Sequence, residues 1–180
     1  ANMIWLWGGG KAPEMPPFEK VYGVKGSVIA GVHLIKGIGR CIGFDVVEVP
    51  GATGYLDTDY ASKAEYALKS LEKRDFVFVH VEAPDEAGHM GNIEEKIRAI
   101  EKFDDLVVGR ILEGLKRFEE YRILVLPDHP TPISERIHKK DPVPFAIFSS
   151  EEEKRFASFD ESSVERVVLE GRELMEIFLV

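Results

Sequence analysis

Five residues of this chain carry side chains that bind divalent cations, and they cluster in three short motifs. They belong to the runs PDEAGH and LPDHPT and to the segment just before DPVPF: Asp85, His89, Asp128, His129 and His138. Carboxylate oxygens and imidazole nitrogens are ligands that zinc and manganese accept. Three of the five histidines in the chain fall in this set. We therefore predict most of a site for two divalent cations.

Each motif also has a simpler interpretation when it is taken alone. Asp85 and His89 are four residues apart, so on a helical turn both side chains would project from one face; the alternative is an aspartate N-cap followed by a surface histidine. Asp128 and His129 follow an apolar segment, and Pro130 prevents a helix from starting there directly. His138, in a polar loop, would by itself be a surface histidine. Only the combination of motifs favours a metal site.

The two remaining histidines are not assigned to this site. His80 lies within the apolar run FVFVHVEA and is predicted to be packed and hydrogen-bonded and not a ligand. His33 opens a helix-like stretch and receives no role.

Apolar segments of strand-like composition alternate with helical patterns along the chain. Strands are predicted at 3–7, 27–30, 44–49, 76–81, 122–126 and 145–148, and helices at about 59–73, 93–118 and 164–178. One buried face is expected along the second of these helices, and Asn92 is expected to cap it. The residues of this face are Ile93, Ile97, Ile100, Phe103 or Asp104, Val107 and Ile111. The alternation predicts an α/β fold, a three-layer α/β/α sandwich with a largely parallel central sheet. In such sheets ligands bind beyond the carboxyl ends of the strands, where both PDEAGH and PDHP lie.

Composition narrows the class of protein. The 180 residues suit a single domain or lobe, and 44% hydrophobic with 31% charged residues is typical of a globular protein. A net charge of −9 and a pI near 5.1 disfavour nucleic acid and anionic membranes as partners and favour small metabolites. Cys41 is the single cysteine, and no apolar run approaches the roughly 18 residues of a membrane span, so we predict a cytoplasmic protein. Because the chain opens directly into the predicted strand 3–7, upstream sequence is expected.

Several motifs in order resemble one family over nearly the whole chain. The runs VPGATG, APDEAGHMGN, KIRAIEKFD, PDHPTPISERIHKKDPVPF and GRELMEIFL are similar to those of the archaeal-type cofactor-independent phosphoglycerate mutases, within the alkaline phosphatase superfamily. The resemblance implies an alkaline phosphatase-like fold. It also implies that residues 1–180 form the C-terminal, metal-binding part of a longer polypeptide, with 1–55 bordering or belonging to an inserted transferase domain.

The same resemblance implies roles for individual residues. Asp85, His89 and His138 would bind one cation, and Asp128 with His129 would bind the other, together with an aspartate and a nucleophilic serine from outside the chain. The expected cations are two manganese ions, with zinc, magnesium and cobalt as alternatives, and no bisphosphoglycerate is required. The substrate contacts implied are Lys36, Arg40 and Lys11, although Lys36 could instead be an exposed helix cation.

Three functions remain open at this point. The first is a phosphomutase that interconverts 2- and 3-phosphoglycerate through a phosphoserine, for which this fragment alone would be inactive. The second is a related metal-dependent phosphohydrolase or phosphotransferase acting on another small phosphate ester. The third is a noncatalytic metal-binding domain. The expected partners are a small phosphorylated metabolite and the remainder of the same polypeptide.

Overall fold

A computed structural model describes residues 10–152, 158–162 and 167–179. The predicted strand at 3–7 lies outside these residues. The helices and strands follow in chain order: α1 (Phe18–Tyr22), β1 (Gly26–Ile29), α2 (His33–Cys41), β2 (Asp45–Val46), α3 (Tyr60–Leu71), β3 (Phe76–Val79), α4 (Ala83–Met90), α5 (Ile93–Phe103), a π-helical segment (Asp104–Gly109), α6 (Arg110–Leu115), β4 (Arg122–Val125), β5 (Ala146–Ser149) and α7 (Gly171–Leu179).

The predicted parallel sheet is formed by three strands in the order β2-β1-β3. β1 is central and completely buried. Ile29 packs with Ala64 and Ala67 of α3 on one face, while Val28 on the other face meets Gly39 of α2 so closely that a side chain at 39 would collide with it. Helices therefore cover both faces of the sheet, which confirms the α/β sandwich.

Two details of the sheet differ from the prediction. β4 and β5 pair with each other in an antiparallel arrangement, as a separate two-stranded sheet. The strand expected at 44–49 contains only Asp45–Val46. Further along, the chain turns through the PGATG loop, where Gly51 has a φ of +77° and the Thr53 carbonyl lies where a Cβ on Gly31 would be. Glycine is needed at both positions.

A long helical stretch forms within the predicted range 93–118. The prediction of its buried face is wrong for the first half. Asn92 caps α5 as predicted, accepting a hydrogen bond from the Glu95 N–H at 3.1 Å. Ile93, Ile97 and Ile100, however, are at least half exposed. The buried residues of the helical stretch are Ala99, Val107, Ile111 and Leu115. The π-helical segment explains the difference, because its wider turns rotate the residues that follow it relative to those before it.

The C-terminal helix is shorter than predicted. Residues 167–170 are not helical, and α7 begins at Gly171 instead of 164; residues 163–166 lie outside the described part of the chain. Among the described residues, no helix combines the length and apolar character needed to cross a lipid bilayer.

Candidate metal centre

The helix α4 places two of the predicted ligands on one face. It begins after β3, and its last residue, Met90, is followed by the C-cap residue Gly91, which has a φ of +68°. Asp85 and His89 lie one turn apart, and the His89 Nε2 atom is 3.2 Å from Asp85 Oδ2. The N-cap of this helix is Glu82, so Asp85 is not the capping residue that the simpler interpretation required.

A loop returns His138 to this helix face. The Lys139 N–H donates to the Pro130 carbonyl at 2.9 Å, which closes the loop at its base. His138 Nε2 then lies 3.3 Å from Asp85 Oδ1 and 2.9 Å from His89 Nε2. The histidine expected to be a surface residue in isolation is therefore part of the cluster, although its side chain remains 55% exposed.

The orientation of the His89 ring is set by a main-chain carbonyl. His89 Nδ1 lies 2.8 Å from the Arg136 carbonyl oxygen, so Nδ1 carries the proton and Nε2 presents its lone pair to the cluster. Arg136 has a φ of +59°, the left-handed region that non-glycine residues rarely adopt. Its N–H donates to the Pro132 carbonyl at 2.7 Å. This unusual backbone conformation directs the carbonyl at His89.

The second motif, PDHPT, lies beside the first. The rings of His129 and His138 have centroids 3.9 Å apart. Thr131 is almost completely buried, and its hydroxyl donates a short hydrogen bond to Asp85 Oδ1. The hydroxyl oxygen of Thr131 is also 3.3 Å from His129 Nδ1. Asp128 Oδ2 lies 3.5 Å from His129 Nε2. The structure thus brings all five predicted ligands into one region beyond β3 and β4.

The distances within this region fit a first-row divalent cation. Ligand atoms about 2.1 Å from a tetrahedral metal lie about 3.4 Å from one another. The contacts joining Asp85, His89 and His138 are 2.9 to 3.3 Å, so only the two histidines would need to separate. Ligand-type atoms of Asp85, His129 and His138 also lie within 4.8 Å of one another. Asp85 is common to both groupings, and its carboxylate has two oxygens to share.

Three residues that the sequence analysis did not identify support the cluster. Thr131 and Arg136 orient Asp85 and His89, as described above. The Lys96 ammonium donates to the Thr131 carbonyl at 2.6 Å, and burial lowers the pKa of this lysine. The only sequence signal for Thr131 was its place two residues after His129, because a buried threonine has no distinctive pattern.

The predicted substrate cations are arranged differently. Lys36 is not an exposed helix cation: its side chain is 12% exposed and forms a 2.6 Å ion pair with Glu48. Arg40 and Lys11 are exposed. Within the described ranges, no hydrogen bond or ion pair links these three cations to the five ligands, so their contact with substrate stays a prediction.

The fold and the cluster together define a metal-binding α/β protein. Residues 1–175 match the model of the Metalloenzyme superfamily, and the chain belongs to this family, whose members use divalent metal ions.

Relatives and solved structures extend the comparison. The chain is 53% identical to the probable 2,3-bisphosphoglycerate-independent phosphoglycerate mutase of Geobacter sulfurreducens, over 99% of this chain and 46% of that protein. It is 59% identical to the 2,3-bisphosphoglycerate-independent phosphoglycerate mutase of Methanothrix thermoacetophila, over 83% of this chain and 38% of that protein. The cofactor-independent phosphoglycerate mutase from Thermoplasma acidophilum superposes with a TM-score of 0.70 at 26% identity, covering 94% of this chain and 40% of that one. The chain therefore spans less than half the length of these relatives.

Proposed function

We propose that this chain is the metal-binding part of a phosphomutase that interconverts 2- and 3-phosphoglycerate without bisphosphoglycerate. The observation that carries the proposal is the convergence of Asp85, His89 and His138 within 2.9 to 3.3 Å. The relatives named above support the substrate, since they bear the name of this enzyme over the region they share with the chain.

Divalent cations, for which we propose manganese, would lower the pKa of the attacking hydroxyl and neutralise charge on the transferring phosphoryl oxygens. In this proposal Asp85, His89 and His138 hold one cation, and Asp128 with His129 hold the other. The nucleophilic serine and a further ligand come from the rest of a longer polypeptide.

The residues of the chain have defined tasks in such a reaction. Thr131 keeps one oxygen of Asp85 oriented by hydrogen bonding, and Arg136 keeps the lone pair of His89 directed into the site. The open side of the cluster, where His138 and Asp128 are more than half exposed, would admit the substrate phosphate. Lys36 would contact the phosphate only if it exchanged its ion pair with Glu48 for one with the substrate.

The test is turnover by the full-length protein that contains this chain. Loaded with Mn²⁺ and supplied with 3-phosphoglycerate, it is expected to form 2-phosphoglycerate, followed by ³¹P NMR, with no bisphosphoglycerate present. His89→Ala should abolish the conversion, whereas His33→Ala, a histidine outside the cluster, should not. A fully metal-loaded protein that leaves both phosphoglycerates unchanged would overturn the proposal.

A further inference from the structure

His80, which the sequence analysis predicted to be a packed, hydrogen-bonded histidine and not a ligand, lies between β3 and the candidate metal centre. Its main chain is held from two sides: the His80 N–H donates to the Ile29 carbonyl at 2.8 Å, and its own carbonyl accepts from the Lys63 ammonium at 3.0 Å. Lys63 is completely buried. The backbone of His80 is therefore fixed to the central strand and to α3, so the ring projects from a rigid support.

The ring of His80 occupies a confined space between two carboxylates. Its side chain is 13% exposed, with Nδ1 3.4 Å from Glu82 Oε2 and Nε2 3.9 Å from Asp128 Oδ2. The Phe78 ring lies nearly parallel to it at 6.3 Å. Nδ1 is buried and makes no hydrogen bond. Nε2 faces one of the predicted ligands, Asp128, whereas Nδ1 faces Glu82.

Asp128 has the most exposed side chain of the five predicted ligands. Its side chain is 62% exposed, and one oxygen, Oδ1, accepts a hydrogen bond at 3.0 Å from the His129 N–H. Among the described residues, the ion-pair contacts of the other oxygen, Oδ2, are with the imidazoles of His129 and His80. An exposed carboxylate held through one oxygen keeps rotational freedom that binding must remove.

We propose that His80 is a positioning residue that holds Asp128 Oδ2 through its Nε2–H and so fixes the Asp128 carboxylate for cation binding. The proposal rests on the metal site of the proposed function. Outer-sphere partners of this kind orient metal ligands and raise affinity without touching the ion.

His80 is not itself placed as a ligand. Among the residues that the structure describes, the mixed carboxylate and imidazole group that gathers within 4.8 Å contains Asp85, His129 and His138, and His80 is absent from it. Closing the 3.9 Å gap to Asp128 requires a side-chain movement of about 1 Å to reach hydrogen-bond distance.

The experiment compares two replacements of similar volume in the full-length protein that contains this chain. In His80→Gln the side-chain amide can still donate to Asp128, whereas in His80→Met it cannot. Mn²⁺ is titrated into each variant, and free Mn²⁺ is followed by EPR to obtain stoichiometry and affinity. We expect His80→Met to weaken one of two sites by about 10- to 100-fold, and His80→Gln to restore most of that loss.

A double-mutant cycle shows whether His80 acts through Asp128. In an Asp128→Ala background, His80→Met should cause no further loss of Mn²⁺ affinity. Equal affinities for His80→Met and wild type would overturn the inference, and so would equal losses for His80→Gln and His80→Met, or additive losses in the cycle. Metal titration is independent of turnover, so these outcomes are distinct from a protein that binds Mn²⁺ and fails to convert phosphoglycerate.

Discussion

His89 and His138 are separated by 49 positions in the chain, yet their Nε2 atoms lie 2.9 Å apart. His89 Nδ1 lies against the Arg136 carbonyl and carries the proton there, so the hydrogen bond between the two Nε2 atoms is donated by His138 to the lone pair of His89. A cation that binds both lone pairs must displace the proton of that hydrogen bond.

Removing either histidine of this pair should remove one cation site. We expect His89→Ala and His138→Ala each to weaken Mn²⁺ binding at that site by more than about 100-fold, since loss of an outer-sphere partner alone costs 10- to 100-fold. Calorimetric titration of Mn²⁺ into each variant measures the effect. His33→Ala is the matched control and should bind like wild type; a His89→Ala variant with wild-type affinity would exclude His89 as a ligand.

Thr131→Val should impair the site while preserving its shape. The change removes the hydroxyl that donates to Asp85 Oδ1 and leaves an oxygen of this half-buried carboxylate with one donor fewer. We expect about 10-fold weaker Mn²⁺ binding and a loss of about 1 kcal/mol in the free energy of unfolding, measured by urea denaturation. Thr53→Val is the control. It removes the hydroxyl of a threonine in the PGATG loop that donates to Asp57, and it should leave Mn²⁺ affinity unchanged. Equal effects of the two variants would contradict a role for Thr131 in the site.

Gly88 in the motif PDEAGH is required by close packing. A Cβ at this position would lie 2.5 Å from the Thr131 carbonyl oxygen and 3.0 Å from Lys96 Nζ. Gly88→Ala should therefore lower the free energy of unfolding by about 1 to 3 kcal/mol and weaken Mn²⁺ binding by displacing the Thr131 loop. Gly37→Ala in α2 is the control, because nothing lies within 4 Å of its added methyl group; it should stabilise the helix by up to about 1 kcal/mol. A Gly88→Ala protein as stable as Gly37→Ala would refute this account.

Lys63 should make stability depend on pH in the alkaline range. Burial lowers the pKa of Lys63 to about 8, although the Glu82 carboxylate opposes the shift, and the unfolded pKa is about 10.4. Between these values the unfolded chain binds more protons, so stability rises with pH from about 8 to about 10.4.

We expect the free energy of unfolding of wild type, relative to Lys63→Met, to increase by about 3 kcal/mol across that range. Urea denaturation at a series of pH values, followed by circular dichroism, measures it. Subtracting the Lys63→Met series removes the contribution of other groups that titrate there. A constant difference would mean that Lys63 remains protonated in the folded protein.

The local sequence contained the ligand chemistry and most of the elements. Alternation of apolar segments predicted β1, β3, β4 and β5 near their observed bounds, because strand composition and flanking turns are local properties. Asn92 was recognisable as a cap for the same reason. The i, i+4 spacing of Asp85 and His89 already placed both side chains on one face of a helix.

Other features depended on contacts between distant segments. The exposure of Ile93, Ile97 and Ile100 follows from a π-helical segment that the 3.6-residue pattern does not contain. The antiparallel pairing of β4 with β5 depends on where the long loop between them returns.

The same distinction applies to the candidate metal centre. Which side chains could bind a cation was readable from the motifs, since ligand type is a property of each residue. The groups that orient these ligands, the Thr131 hydroxyl, the Arg136 carbonyl and, as proposed, the His80 ring, became visible in the folded chain. Those roles arise from burial and from hydrogen bonds across 46 or 47 residues, as between Thr131 and Asp85 or His89 and Arg136, and no local pattern encodes such distances.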